Sequence, residues 1–262
     1  MLAAVAAVAA MLAVRRMAPP GGLYGGARGI GVYSAIQGAL GILIAFVIFL
    51  AFQSYLGARS AAQDEATAVL QLFRTAELFP RPYGAQEEQH LVCYARAVAG
   101  PEWRAMKKER GSPLVDAAVA RTEATFAAAE RSGRLSGPAA STWLSNADER
   151  AQGRQRRLAE ATPFVPPLLW VMLIGGAVVV ISFLLGFADR SERALGQALI
   201  AAAPAVILAS GLVLIYFFDH PYEGLSGSIQ PVAMERALDR MTDPACVGSA
   251  SGTLPGSLIN CR

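Results

Sequence analysis

The stretch Ser34–Pro80 decides the fold, and it reads SAIQGALGILIAFVIFLAFQSYLGARSAAQDEATAVLQLFRTAELFP. Its first part lies in an uncharged run of 30 residues from Gly29 to Ala58, whereas a bilayer core needs about 20 apolar residues of helix. Beyond Arg59 the apolar residues recur on one helical face among charged residues, with no Gly-Pro break before them. The stretch therefore predicts a membrane helix that continues into water.

The composition indicates an integral membrane protein. The 262 residues are 54% hydrophobic and 16% charged, whereas a soluble domain is usually about one quarter charged. The mean hydropathy is +0.38 and the apolar residues cluster at both ends of the chain. The net charge is only +3, without a long basic run, so we expect no nucleic-acid partner. We predict a multi-pass protein of the plasma membrane with lipid as its surroundings.

Three further apolar runs predict three further spans. Residues 1–14 form a short one, which precedes a turn-rich linker at residues 19–29. Residues 164–188 and 194–218 are each long enough to cross a bilayer. The fold class is accordingly predicted as all-α, with four transmembrane helices and a helical-bundle domain inserted between spans two and three.

The charged middle of the chain predicts a helical bundle, because helix formers dominate and alternating β-branched runs do not occur. Pro and Gly clusters divide it into predicted helices at 58–78, 85–109, 114–132 and 138–161. The predicted domains are 1–58 (spans one and two), 59–162 (helical domain), 163–218 (spans three and four) and 219–262 (a short helix and a flexible tail).

The cysteines and histidines predict no metal site and no cofactor. Cys93 is typical of a small buried side chain on a helix, and Cys246 and Cys261 could form a disulfide if the tail faces an oxidising compartment. No Cys-x-x-Cys spacing occurs, and His90 and His220 are far apart in the sequence.

Basic residues leave the orientation in the membrane open. Arg15, Arg16 and Arg28 favour a cytoplasmic loop after span one, which puts the helical domain outside. Other arginines favour the opposite orientation; they are Arg59, Arg154, Arg156, Arg157, Arg236 and Arg240.

The long spans contain no Asp, Glu, Lys, Arg or His, which argues against proton-coupled pumps and transporters. Their Gln and Ser residues are predicted to form interhelical hydrogen bonds. No catalytic constellation is visible, so the sequence does not predict an enzyme. The charges after span two are predicted to be solvated or to pair between subunits; they are Arg59, Asp64, Glu65, Arg74 and Glu77.

Two segments resemble a known family. Residues 48–74 resemble the region of bestrophins where the second span enters the helical domain, and residues 215–241 resemble the segment after the fourth span. The chain is identified as a member of the DUF4239 (bestrophin-like) family of bacterial membrane proteins. The motifs are Gly41–Phe46, Glu65-Ala66, Leu72-Phe73-Arg74, Leu78-Phe79-Pro80, Tyr94, Glu102-Trp103 and Asp219–Gly224.

The resemblance implies a homo-oligomeric, pentameric channel for small anions such as chloride, with a cytoplasmic helical domain. It implies an apolar pore neck on the second span, at Ile44, Ile48 and Phe52. It also implies subunit-contact or gating residues: Glu65, Arg74, Asp219, His220, Pro221, Tyr222 and Gly224. The alternative hypothesis is a non-conducting membrane scaffold or accessory subunit whose helical domain docks a partner protein.

Overall fold

The computed structural model describes residues 2–18, 27–189, 191, 193–224, 227–242 and 261. In this part of the chain all regular structure is helical, which confirms the all-α prediction. The helices are α1 (Leu2–Arg15), α2 (Ala27–Ala76), α3 (Tyr83–Ala97), α4 (Trp103–Met106), α5 (Pro113–Arg131), α6 (Gly137–Ala159), α7 (Pro167–Gly186), α8 (Ala194–Asp219) and α9 (Val232–Thr242).

Helix α2 is the longest element, with 50 residues. It carries both the apolar run and the charged continuation, as the opening stretch predicted. The described residues form two compact units, and α2 contributes to both. Unit 1 contains the chain up to Ser54 together with Pro163–Asp219, and unit 2 contains Tyr55–Thr162 together with the residues from His220 onward.

Unit 1 is built from apolar helices that pack through small and branched side chains. Its main core joins α2, α7 and α8 through Leu40, Ile44, Val47, Leu173, Val180, Leu208 and Ile215. A second cluster forms where α1 packs on α7 and α8, around the buried side chain of Met11. Small residues allow close contact between these helices, as expected in lipid, where helix packing replaces the hydrophobic effect.

Three of these helices are long and apolar enough to cross a membrane: α2, α7 and α8. Helix α1 has 14 residues, which gives about 21 Å at 1.5 Å per residue and is short of a bilayer core of about 30 Å. The predicted count of four transmembrane helices is therefore not confirmed. The linker predicted at residues 19–29 lies mostly outside the described residues.

Unit 2 follows the breaks that the sequence predicted. Ser112 caps α5 because its hydroxyl accepts a hydrogen bond from the amide of Leu114, and Pro113 occupies the first turn. Ser136 caps α6 in the same way, through the amide of Ala139. The segment predicted as one helix over 85–109 is interrupted by a π-helical turn at Val98–Glu102, which contains Pro101.

The core of unit 2 gathers apolar side chains from α2, α3, α5, α6 and α9. Phe126 stacks on Trp143 with ring centroids 4.2 Å apart, and both side chains are buried. The short helix predicted after span four is α9, and its buried face carries Met234, Ala237 and Met241.

The cysteine pairing differs from the prediction. Cys261 forms a disulfide with Cys93 of α3, and the two Cα atoms are 5.4 Å apart. Cys93 is buried as expected, but it is not a free thiol. Cys246, the partner suggested by the sequence, lies outside the described residues, as does the predicted flexible tail apart from Cys261.

Candidate functional site

The membrane part of α2 has two different faces. One face is buried against α7 and α8 and carries Leu40, Ile44, Val47 and Ala51. The other, here called the exposed α2 face, carries Gly31, Ala35, Gly38, Ile42, Phe46, Phe49, Gln53 and Leu56. Its members are three or four residues apart, the spacing that aligns side chains along one side of a helix.

The three residues predicted for the pore neck differ in exposure, since Ile44 is buried, Ile48 is half-buried and Phe52 is exposed. Ile44 is 8% exposed, and a Cβ atom added to Gly211 of α8 would lie only 2.9 Å from its Cγ2 atom. The Cδ1 atom of Ile48 would lie 4.0 Å from the same added Cβ atom. Phe52 is 39% exposed and contacts Phe218 of α8, with ring centroids 5.2 Å apart. Helix α8 of the same chain thus buries Ile44 and lies beside Ile48, which is half-buried.

The exposed α2 face combines small residues with large apolar ones. Ile42, Phe46 and Phe49 are 74%, 58% and 55% exposed. A Cβ atom added to Gly31 or Gly38 would meet nothing within 4 Å. Small residues permit another helix to approach closely, and the bulky ones form an apolar segment about 10 Å long between Ile42 and Phe49.

A buried ion network lies in the core of unit 2. The guanidinium of Arg157, on α6, donates to Glu65 of α2 at 2.5 and 3.0 Å and to Glu102 at 2.6 Å. All three side chains are 0% exposed. Arg154 forms an ion pair with Glu102 at 2.7 Å and a second one with the exposed Asp116.

The charged residues after span two were predicted to be solvated or to pair between subunits. This prediction is wrong for Glu65, which is buried and pairs with Arg157 of the same chain.

Aromatic side chains and backbone amides complete this network. The hydroxyl of Tyr94 donates to Glu65 at 2.7 Å, and the amide of Ser112 donates to Glu102 at 3.1 Å. The Arg157 guanidinium lies 5.4 Å from the ring centre of Trp103. Nearly every polar atom in the group therefore has a partner, as a buried pair of opposite charges requires.

The network shifts the pKa of Glu102 and that of Arg157 in the directions that keep both groups charged. Burial raises the pKa of Glu102, but hydrogen bonds and charges from Arg154 and Arg157 outweigh it and hold the pKa below its ordinary value. Burial lowers the pKa of Arg157, whereas Glu65 and Glu102 raise it, and the net direction is upward. The charged forms are thus stabilised by one another.

Close backbone contact between α2 and α6 positions the network. A Cβ atom added to Gly153 would lie 2.8 Å from the Glu65 amide nitrogen and 2.9 Å from its Cα atom. Only glycine allows this approach, which brings Arg157, one helical turn later, onto Glu65.

Gly153→Ala is expected to destabilise unit 2 by about 1–3 kcal/mol, because backbone atoms cannot move aside as a flexible side chain does. The thermal unfolding midpoint of the purified protein in detergent checks this. Ala151→Gly, at an exposed position of the same helix, controls for helix propensity and is expected to cost only about 1 kcal/mol. An unchanged midpoint in Gly153→Ala would contradict the close crossing.

The segment after α8 folds into a tight turn. The carboxylate of Asp219 accepts a hydrogen bond from the amide of Val165 at 2.8 Å. Tyr222 is buried, donates to the carbonyl of Ala58 at 3.3 Å and packs edge-on against Trp103. Gly224 has a φ of +84°, a left-handed conformation that favours glycine. The carbonyl oxygen of Pro221 accepts a hydrogen bond from the amide of Ile229 at 2.9 Å.

The structure brings some of the predicted gating residues together. Tyr222 lies near enough to Glu65 for the carboxylate to contribute to its raised pKa, although burial is the main cause. Arg74 is exposed and lies nine residues further along α2 than Glu65, about 13 Å along the axis. His220 is half-buried. Among the described residues, no group of three or more His, Cys, Asp and Glu side chains lies close enough to hold a metal ion.

The buried carboxyl group of Glu87 stands apart from this network. Glu87 of α3 is 0% exposed, and within the described part of the chain neither of its oxygens has a hydrogen-bond partner of good geometry. Burial raises its pKa from 4.5 to about 8, although Trp143 and Arg150 act to lower it. Glu87 is thus protonated in the folded protein at pH 7.

Raising the pH from 5 to 8 is expected to destabilise unit 2 through Glu87. The pKa of Glu87 is 4.5 in the unfolded state and about 8 in the folded state. At pH values between these two, only the folded state keeps the proton, so the free energy of unfolding falls as the pH rises. Glu87→Gln should remove this loss, stabilising the protein by up to about 3 kcal/mol at pH 7 with no effect at pH 4.5. Unfolding midpoints at both pH values check this, with the exposed Glu123→Gln as control. Equal pH profiles of wild type and Glu87→Gln would contradict it.

Sequence reasoning missed the basic half of the ion network. Arg157 was considered only for its effect on membrane orientation. A usable signal exists in the spacing, because Trp143, Arg150 and Arg157 are seven residues apart and all lie on the buried face of α6. A charged residue at such a core position implies a buried partner of opposite charge.

Comparisons with known proteins agree with the helical architecture. A family model described as Bestrophin-like domain matches residues 2–234. A solved variant of a bacterial bestrophin homologue from Klebsiella pneumoniae aligns with a TM-score of 0.72 and 14% identity, over 92% of this chain and 98% of that one. Another structure of a bestrophin homologue from that organism aligns with a TM-score of 0.68 and 17% identity, over 92% of this chain and 97% of that one.

A third solved structure, described only as a membrane protein, aligns with a TM-score of 0.69 and 16% identity, over 92% of this chain and 97% of that one. At such identities the solved structures show the fold. No curated protein sequence matches the chain.

Proposed function

The chain belongs to the bestrophin-like family, and from this premise we propose that it is a homo-oligomeric passive channel for small anions in the plasma membrane. The observation that carries the proposal is the exposed α2 face. Its residues recur every three or four positions, which is the spacing expected of helices that pack around a common axis. A pentamer would bring five such faces together.

The neck of this channel is proposed to lie at Ile42, Phe46 and Phe49 rather than at Ile44, Ile48 and Phe52. Within one subunit α8 buries Ile44, and Ile48 is half-buried, so both present less surface to a pore between subunits than Ile42, Phe46 and Phe49 do. The small residues Gly31 and Gly38 precede the bulky segment, and Gln53 follows it. An apolar constriction of this kind can hold back water and ions without a charged gate.

Anion selectivity is proposed to arise without fixed charges at the neck. The sequence from Gly29 to Ala58 contains no acidic or basic residue, so nothing there favours one sign of charge by direct pairing. Large anions lose their hydration shell at lower cost than small cations of the same charge do. Permeation is therefore expected to favour anions and to increase from chloride to larger, weakly hydrated anions.

Gating is proposed to involve the helical domain, with Asp219–Gly224 as the subunit-contact segment. Tyr222 ties this turn to Ala58 on α2 and to Trp103, and Glu65 lies two turns further along α2. A change in this turn would therefore reach the part of α2 that follows the neck.

The test is ion flux from liposomes that contain the purified protein, with oligomeric state measured on the same sample. Chloride is expected to leave the liposomes faster than potassium does. A single oligomeric species is expected in detergent and after cross-linking. A well-folded sample that passes neither ion would contradict the channel. In that case the alternative, a non-conducting scaffold that docks a partner through unit 2, becomes the better account.

A further inference from the structure

We propose that unit 2 binds a phosphate group, supplied by an anionic phospholipid or by a soluble phosphate, in a cavity between α2 and α9. Arg59 and Arg236 are its cationic ligands. The site goes beyond the proposed channel and does not rest on it, because every residue that lines the cavity belongs to unit 2.

The cavity has the size of a small-molecule site. Its volume is about 330 Å³, and its walls are residues 55–63 of α2 and residues 228–236, which lead into α9 and form its first turns. Small-molecule sites in proteins occupy about 300–1,000 Å³, whereas one water molecule takes about 30 Å³. The cavity therefore holds a polyatomic group, and a single chloride ion would leave most of it to water.

Two guanidinium groups without a partner line this cavity. Arg59 comes from α2 and Arg236 from α9, and both side chains are exposed. Within the described part of the chain, neither forms an ion pair or a hydrogen bond. Two unpaired cations at one cavity attract an anion that neutralises both. The planar guanidinium fork matches pairs of phosphate oxygens, so the preferred anion is a phosphate group.

The neutral part of the lining adds amide groups. Gln63 and Gln230 line the cavity, and Gln230 donates a hydrogen bond to the Ser228 hydroxyl at 3.0 Å. Asp64 and Glu235 are close in sequence to these residues, but neither belongs to the described lining. The described lining thus carries two positive charges and no negative one.

The position of Arg59 gives both phosphate sources access to the cavity. Arg59 is the first charged residue after the uncharged run from Gly29 to Ala58. Basic residues directly beside a membrane span attract anionic lipid headgroups. The guanidinium is also exposed, so a soluble phosphate reaches it equally well. Since the recognition chemistry is the same for both, the experiment has to separate the two sources.

The first measurement is calorimetric titration of the wild-type protein in an uncharged detergent. One portion is titrated with inorganic phosphate and another with short-chain phosphatidylglycerol, against sodium chloride at equal ionic strength and short-chain phosphatidylcholine. Saturable binding of one ligand per chain is expected. Binding of inorganic phosphate identifies a soluble source, and binding of phosphatidylglycerol alone identifies the lipid. No binding of inorganic phosphate, together with phosphatidylglycerol binding no tighter than phosphatidylcholine, overturns the site.

The second measurement repeats the titration with charge variants. Arg59→Gln and Arg236→Gln are each expected to weaken binding roughly tenfold, because each removes charge-assisted hydrogen bonds to the phosphate. The matched control is Arg240→Gln, which removes the same charge from an exposed position one turn further along α9, outside the described lining. It should keep the wild-type affinity.

Two results with these variants overturn the site. Wild-type affinity in the double variant of Arg59 and Arg236 would place the ligand elsewhere, and an equal loss in Arg240→Gln would assign binding to net charge. The replaced side chains are exposed, so each variant should keep the wild-type unfolding midpoint. Neither titration involves ion flux, so failure of this site is distinct from failure of the channel.

Discussion

Replacing Arg157 with alanine is expected to lower the free energy of unfolding of unit 2 by about 3–5 kcal/mol. The side chain is fully buried and makes three hydrogen bonds to two carboxylates. Without it, Glu65 keeps only the hydroxyl of Tyr94 among the partners that the structure gives it, and Glu102 keeps Arg154 and the amide of Ser112. An uncompensated buried charge is costly because water can no longer solvate it.

The thermal unfolding midpoint in detergent measures this effect, and a loss of roughly 10 °C or more is expected for Arg157→Ala. Arg156→Ala is the matched control, because Arg156 is the preceding residue on the same helix and is exposed. It should change the free energy by less than about 0.5 kcal/mol. Equal midpoints for the two variants would contradict a stabilising ion network.

A double variant separates the buried charge from the lost packing. Glu65→Gln combined with Arg157→Met removes one positive and one negative charge together and keeps an apolar side chain against Trp103. It should be more stable than the single variant Arg157→Met, because no carboxylate at Glu65 is left without its cation. A double variant that is no more stable than Arg157→Met would assign the loss to packing alone.

The helices and the family could be predicted from the sequence, because their signals are local. The long uncharged run of α2 and the Ser-Pro breaks near Ser112 and Ser136 depend only on neighbouring residues. The same holds for α1. Its apolar run predicted a short first span over residues 1–14, and the described helix runs from Leu2 to Arg15.

Which face of a helix is covered could not be predicted, because it depends on distant segments. Ile44 and Ile42 are both apolar and two residues apart, and Ile44 is buried because residues of α7 and α8 pack around it. The disulfide was missed for the same reason, since 168 residues separate Cys93 from Cys261. Glu65 was singled out from the sequence, but its burial and its pairing with Arg157 were not, because an acidic residue near a membrane helix is usually solvated.

Phe46→Ala is expected to raise chloride flux several-fold, whereas Ile48→Ala is expected to leave it nearly unchanged. Phe46 is 58% exposed on the face that is proposed to line the pore, so truncation would widen the neck. Ile48 lies 4.0 Å from the position of a Cβ atom at Gly211, and its truncation changes packing inside one subunit. The two variants remove apolar atoms from neighbouring turns of the same helix, which makes each the control for the other.

The central claim is therefore tested most directly by chloride efflux from liposomes that contain wild type, Phe46→Ala or Ile48→Ala at equal protein density. Chloride efflux is expected in wild type, with faster efflux in Phe46→Ala and a wild-type rate in Ile48→Ala. A rise in Ile48→Ala with no change in Phe46→Ala would contradict it and move the neck to Ile44, Ile48 and Phe52.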